Sequence, residues 1–114
     1  MQKNYTRSYN VKTIPKFDKE LKRLSKKFAS IKNEYLLLIN SLKIEPRQGI
    51  PLGNNCYKIR FSIASKGKGK SGGARIITCV QISQTSVYLL TIFDKSEKEN
   101  ITDTELSDLL KSIK

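Results

Sequence analysis

Histidine is absent from this 114-residue sequence. Without imidazole, the chain lacks the most common general base, any Ser–His or Cys–His nucleophile pair, and the usual nitrogen ligand for metals. Its two cysteines, with no histidine beside them, do not make a zinc site. Any catalysis by this chain must therefore use Lys, Arg, Tyr or a carboxylate, and we expect no cofactor and no metal.

Acidic residues are absent from a long internal stretch, between Pro46 and Phe93. The cations of this stretch are Arg47, Lys58, Arg60, Lys66, Lys68, Lys70 and Arg75. The whole chain carries 22 Lys and Arg against 10 Asp and Glu, which gives a formal net charge of +12. Such an uncancelled positive field favours nucleic acid or an acidic protein as the partner.

Long apolar runs are also missing. No run approaches the roughly 20 residues that span a bilayer, and the N-terminal residues lack the apolar core of a secretory signal. We therefore expect a cytoplasmic protein with no membrane partner. In that compartment Cys56 and Cys79 are expected to be free thiols, although a disulfide across a hairpin is geometrically conceivable.

The apolar pattern predicts one α+β domain over residues 10–114, preceded by a flexible segment at 1–9. Apolar residues recur with helical spacing from Phe17 to Phe28, and they alternate with polar ones from Tyr57 to Ala64. The predicted order β-α-α-β-β-β-α has strands at 10–14, 57–64, 75–82 and 87–93, a breaker-rich loop at 45–53, and helices at 17–28, 31–43 and from 102 or 103 to 113. We expect a twisted antiparallel sheet with the first strand at one edge. The helical hairpin should cover one face, and the other should be open and positive.

Two cations, Lys58 and Arg60, fall on the same side of the first hairpin strand by alternation. The segment 65–75, in which lysines alternate with glycines, can bring further cations over that side, where they would hold a nucleic-acid backbone. Tyr88 and Phe93 lie on the same predicted sheet and offer bases a stacking surface. The plainer alternatives are a solvated edge strand, a soluble turn and two core aromatics.

Three segments together resemble the HigB-type branch of the RelE/ParE toxin superfamily. They are Lys58–Phe61, the lysine–glycine segment from Ser65 to Ile77, and Tyr88–Glu97. The resemblance covers roughly residues 10 to 112 and implies the RelE-like fold and a toxin of a type II toxin–antitoxin system. RelE-like members cut mRNA in the ribosomal A site, whereas ParE-like members inhibit gyrase on the same fold. A non-catalytic module that binds nucleic acid is a third possibility.

The cationic cluster favours the RelE-like activity, an endoribonuclease or mRNA interferase. On this resemblance the catalytic candidates are Arg60, Lys66, Lys68, Lys70, Arg75 and Lys95, and the RNA-binding candidates are Lys58, Tyr88 and Phe93. The strand that ends in Phe93 usually ends in Tyr in this family, so a stacking role survives and a role for a phenolic hydroxyl does not. The implied partners are an acidic helix-turn-helix antitoxin, operator DNA through that antitoxin, the ribosome and mRNA.

The expected chemistry needs neither histidine nor a metal. The ribose 2′-hydroxyl would attack the adjacent phosphate and leave a 2′,3′-cyclic phosphate and a 5′-hydroxyl. A lysine crowded by other cations has a lowered pKa and can act as the base. Arginine stays charged and can stabilise the phosphorane through bidentate hydrogen bonds.

Overall fold

The computed structural model describes residues 8–64 and 73–113. Its elements are β1 (Asn10–Thr13), α1 (Pro15–Lys27), α2 (Ile31–Ile44), β2 (Ile50–Gly53), β3 (Cys56–Phe61), β4 (Ala74–Gln81), a short 3₁₀ turn (Ile82–Gln84), β5 (Ser86–Asp94) and α3 (Asp103–Lys111). The predicted α+β class is confirmed. Most of the predicted flexible segment at 1–9 and the loop lysines Lys66, Lys68 and Lys70 lie outside the described residues.

The five strands form one sheet in the order β1-β5-β4-β3-β2, so the first strand lies at an edge as predicted. The sheet is mixed, because β1 runs parallel to β5 with Asn10 opposite Ser86. The other strand pairs are antiparallel. A wholly antiparallel sheet was expected, but strand direction is set by the helical hairpin that returns the chain, and alternation alone does not reveal it.

The fifth strand, β2, lies in the segment that was predicted to be a loop. Its prolines and glycines gave that signal, yet Pro51 sits on the outer strand, where a missing N–H costs no interior hydrogen bond. Gly49 directly precedes β2 and Gly53 is its last residue, with φ of +98° and +91°, which ordinary residues rarely adopt. Breakers at these positions therefore shape an edge strand instead of preventing one.

The helical hairpin α1–α2 covers one face of the sheet. The predicted apolar stripe of α1 is confirmed, because Phe17 and Leu24 are fully buried and Phe28 is nearly so. The ring of Phe17 packs against Tyr35 of α2 with centroids 5.9 Å apart. Burial of such side chains stabilises a fold by about 1.5–3 kcal/mol each, so this face holds most of the core.

The opposite face is only partly open, which corrects the expectation of an open positive face. The side chains of Arg75, Ile77 and Cys79 alternate onto this face of β4, and all three are buried. The helix α3 lies over that end of the strand and contributes Leu106 and Leu109 to the core. Of the described strand residues, Lys58, Arg60 and Arg75 thus lie on this face at the end that α3 leaves uncovered.

Thr102 begins α3 with a capping box. Its hydroxyl accepts from Glu105 N at 3.1 Å, and the Glu105 carboxylate accepts from Thr102 N at 2.8 Å. This settles the start of the helix at the first of the two predicted caps.

Within residues 8–64 and 73–113, no helix is both long and apolar enough to cross a membrane.

Candidate nucleic-acid interface

Two arginines face each other across the β3–β4 hairpin. Arg60 is the register partner of Arg75, and the ladder fixes the kind of pair that they form. Val80 N donates to Asn55 O at 2.8 Å, so Asn55 and Val80 form a hydrogen-bonded pair. In an antiparallel ladder hydrogen-bonded and non-hydrogen-bonded pairs alternate, and by this alternation the Arg60–Arg75 pair is non-hydrogen-bonded. Side chains approach most closely at non-hydrogen-bonded pairs, and like charges placed there are destabilising. We call Arg60 and Arg75 the arginine pair.

The arginine pair forms the floor of a cleft of about 510 Å³, which we call the cationic cleft. It is lined by Ile50, Lys58, Arg60, Arg75, Lys95, Glu99 and Asn100. Lys58 Nζ donates to Asn100 Oδ1 at 3.2 Å, and that oxygen also accepts from Ile101 N at 2.9 Å. Among the residues that the structure describes, the cleft therefore brings four cations together beside a single carboxylate, that of Glu99.

Arg75 is the most buried cation of the cleft, with 8% of its surface exposed. Its Nη1 donates to its neighbour's carbonyl, Ala74 O, at 3.1 Å. Burial and then the charge of Arg60 lower the pKa of Arg75, although an arginine keeps its charge at neutral pH. With the residues that the structure describes, neither arginine forms an ion pair. The arginine pair thus holds positive charge that no described carboxylate pairs with and that an incoming anion would neutralise.

The chain matches, over residues 18–114, the family model described as the RelE toxin of the RelE/RelB toxin–antitoxin system. The chain belongs to the RelE toxin family. The resemblance inferred from the sequence is confirmed at this level, as is the expectation of a toxin from a toxin–antitoxin system.

Solved structures agree on the fold. A mutant of the E. coli toxin RelE in the free state has a TM-score of 0.63 and 17% identity, over 94% of this chain and 99% of that chain. The toxin–antitoxin complex RelBE2 from Mycobacterium tuberculosis has a TM-score of 0.58 and 18% identity, over 81% of this chain and 97% of the other. At these identities the likeness shows the fold alone.

In this RelE-family toxin, four of the sequence-predicted site residues come together: Lys58, Arg60, Arg75 and Lys95. Phe93 is the register partner of Arg75 on its other side and is 6% exposed, with Lys98 Nζ 6.0 Å from its ring. Its ring is therefore part of the core at the margin of the cleft. The predicted Lys66, Lys68 and Lys70 lie outside the described residues.

Tyr88 lies away from the cationic cleft. It is opposite Cys79, near the other end of β5, and its hydroxyl donates to Gln84 Oε1 at 2.9 Å. Lys12 Nζ of β1 lies 5.6 Å from its ring. The structure gives Tyr88 these local partners and does not bring it to the arginine pair.

Lys95 is positioned by a turn that closes on Asp94. The buried Asp94 carboxylate accepts from both Ser96 N (2.9 Å) and Ser96 Oγ (2.7 Å). Lys95 N donates to Gly73 O at 3.1 Å, which joins this turn to the start of β4. A Cβ on Gly73 would lie 2.5 Å from Phe61 O, so the two strands close tightly next to the cleft only because this residue is glycine.

Sequence reasoning missed three lining residues: Ile50, Glu99 and Asn100. Ile50 belongs to the unpredicted β2 and lies opposite Lys58. Glu99 and Asn100 stand in an irregular segment, where no periodicity signals a role. Within residues 8–64 and 73–113, no cluster of three His, Cys, Asp or Glu side chains offers a metal site.

Proposed function

We propose that this RelE-family toxin is a ribosome-dependent endoribonuclease that cuts mRNA in the ribosomal A site. The observation that carries the proposal is the arginine pair, two like charges held at close range on the floor of the cationic cleft. Such an arrangement costs stability and is explained by an anionic substrate. The negative charge of a phosphodiester would neutralise the two arginines.

The reaction proposed is attack of the ribose 2′-hydroxyl on the adjacent phosphate. Negative charge grows on the phosphoryl oxygens as the phosphorane forms, and Arg60 and Arg75 donate hydrogen bonds to those oxygens. Burial of Arg75 strengthens its interaction, because less water screens the charge. The products carry a 2′,3′-cyclic phosphate and a 5′-hydroxyl, and the step involves no metal.

A lysine is proposed as the base, with Lys66, Lys68, Lys70 and Lys95 as the candidates. Lys95 lines the cleft. The other three belong to the segment that leaves β3 after Phe61 and returns at Ala74, and these two residues are register partners next to the arginine pair. The segment therefore begins and ends beside the phosphate site.

The proposed partners follow from charge and from the family. The chain carries a net charge of +12, which suits an acidic antitoxin as well as the ribosome and mRNA. The M. tuberculosis relative was solved as a toxin–antitoxin complex. We propose a cognate acidic helix-turn-helix antitoxin that also tethers the toxin to operator DNA, and a cytoplasmic location where ribosomes are available.

The test is single-turnover cleavage of mRNA on programmed ribosomes. Arg75→Ala should reduce cleavage by about 10²–10³-fold, the usual loss when one donor to a developing oxyanion is removed. Arg23→Ala is the matched control, because Arg23 lies on α1 and is held by Glu97 at 2.7 Å. It should cleave like the wild type, and both variants should show wild-type circular dichroism.

Three outcomes would contradict the proposal. They are full cleavage by Arg75→Ala, products that end in a 3′-hydroxyl, and inhibition of gyrase supercoiling by a protein that leaves ribosome-bound mRNA intact. The last outcome would favour the ParE-like activity. Binding of RNA without cleavage or growth arrest would favour a non-catalytic module.

A further inference from the structure

The two cysteines lie directly opposite each other in the β3–β4 hairpin. Cys56 is the register partner of Cys79, four residues from the arginine pair along each strand, so this pair is also non-hydrogen-bonded. Such pairs have Cα atoms roughly 4.5 Å apart, within the span of about 4.4–6.8 Å that a disulfide bridges. Both residues are 1% exposed, and both are free thiols.

The surroundings make the two sulfurs unequal. Gln81 Nε2 donates to Cys79 Sγ at 3.5 Å, and Asn54 O lies 3.6 Å from the Sγ of Cys56 and 3.8 Å from that of Cys79. The hydrogen bond between the two thiols lowers the pKa of Cys79, as does the Gln81 amide, and the same bond together with burial raises the pKa of Cys56. Cys79 is therefore the better thiolate and Cys56 holds the proton.

A path leads to Cys79. It lines a cleft of about 520 Å³ between α3 and the end of β4, together with Gln81, Leu110, Lys111 and Ile113, whereas Cys56 does not line it. That volume admits a small peroxide. A buried cysteine that only fills space needs neither an amide donor nor an opening.

We propose that Cys79 is a site of oxidation by hydroperoxides, with Cys56 as the resolving thiol and a cross-strand disulfide as the product. The Cys79 thiolate attacks the peroxide O–O bond, forms Cys79 sulfenic acid and releases water or an alcohol. The Cys56 sulfur then attacks the sulfenic sulfur, an S–S bond forms, and the sulfenic oxygen leaves as water with the remaining thiol proton. The two thiols lose two electrons in total, and the peroxide gains them.

The test is treatment of the reduced full-length chain with a small molar excess of hydrogen peroxide at neutral pH. The intact mass should fall by two hydrogen atoms, and peptide mapping without reductant should join the Cys56 and Cys79 peptides within one chain. A thermal unfolding midpoint that rises by several degrees should accompany the new bond, because it closes the segment between the two strands.

Two variants assign the order of events. In Cys56→Ala, dimedone present during oxidation should label Cys79, since no thiol is left to resolve the sulfenic acid. In Cys79→Ala, labelling of Cys56 should be at least about tenfold lower, because burial keeps that thiol protonated and it does not line the cleft. Circular dichroism checks the fold of each variant. Should one misfold, limiting iodoacetamide on the wild type replaces it, and Cys79 should be alkylated first.

The proposal is overturned if peroxide yields no disulfide, or only a disulfide between chains. It is also overturned if Cys56 is labelled or alkylated in preference to Cys79. The cationic cleft takes no part in this assay, so its result is independent of whether the toxin cleaves mRNA.

Discussion

The cations of α1 and the cations of the cationic cleft differ in what surrounds them. On α1, Arg23 and Lys27 share the carboxylate of Glu97, at 2.7 and 3.3 Å, and all three side chains are exposed. In the cleft, Arg60 and Arg75 are placed opposite each other without a carboxylate between them. Surface ion pairs contribute little to stability, about 0–1 kcal/mol, but each one neutralises the charge of its cation. The comparison teaches that a positively charged protein can neutralise some of its surface cations and still leave others, placed close together, for a ligand.

The two regions also differ in what builds them. Side chains hold the α1 surface, whereas close approach of the main chain shapes the cleft. A Cβ on Gly49 would lie 2.4 Å from Lys58 O, at a φ of +98°. Gly53 has a similar φ of +91° but nothing within 4 Å of its missing Cβ. Gly49 directly precedes β2 and Gly53 is its last residue, so the two form a matched pair.

The largest effect on stability is expected from Gly49→Ala. It should lower the free energy of unfolding by about 2–4 kcal/mol, because backbone strain adds to a main-chain clash. Gly53→Ala, which adds only the strain, should cost about 1–2 kcal/mol. Urea denaturation of both variants measures the difference. Equal losses would show that the approach of Gly49 to Lys58 does not hold the cleft wall in place.

A second prediction concerns binding to single-stranded RNA as salt is varied. Arg60→Gln should weaken binding severalfold at low salt and reduce the slope of log affinity against log salt by about 0.7, the value for one lost phosphate contact. Arg23→Gln should leave the slope unchanged, because its charge is already neutralised by Glu97. A reduced slope in Arg23→Gln would contradict the contrast between the two regions and would show that RNA also contacts α1.

The cations of the cleft could be predicted from the sequence better than the strands and turns that hold them. Alternation in β3 places Lys58 and Arg60 on one side, and a two-residue period needs no tertiary information. It could not tell which face of the sheet Tyr88 joins, since the register across β4 and β5 shifts by one residue at a bulge between Ile77 and Thr78. Nor could it find β2, because proline and glycine signal a loop unless the edge of the sheet is already known.

The capping of α3 supplies a third, smaller prediction. Lys98 is another neutralised cation, held by the same Glu105 carboxylate that completes the capping box. Thr102→Ala should lower the free energy of unfolding by about 1 kcal/mol, the usual cost of a lost N-cap hydroxyl. Thr104→Ala, exposed in the same turn, should change it by less than about 0.5 kcal/mol. If both variants lose the same stability in a thermal melt, helix propensity and not the cap sets the start of α3.

The smallest prediction tests the comparison most directly, through the sign of two changes. Arg60→Gln should raise the free energy of unfolding by about 0.5 kcal/mol, because it removes a like-charged neighbour of Arg75. Arg23→Gln should lower it by about 0.3 kcal/mol, since the pair with Glu97 is exposed and screened. The two changes in the free energy of unfolding should have opposite signs in urea titrations at low salt, and both should become smaller in high salt. That result would confirm that positive charge is left unpaired in the cationic cleft and is neutralised on α1. Equal signs would contradict it.

The same contrast predicts a pH dependence. The hydrogen bonds from Arg23 and then Lys27 hold the pKa of Glu97 below its ordinary value of 4.5. A carboxylate with a lowered pKa adds stability that is present above its ordinary value and is lost as the pH falls through the lowered one. The small deficit of Arg23→Gln should therefore be seen at neutral pH and fade below pH 4.5. The small gain of Arg60→Gln should persist there, because neither arginine of the pair titrates in acid. A deficit in Arg23→Gln that stays constant into acid would mean that the side chain of Arg23 acts through packing on α1 and not through Glu97.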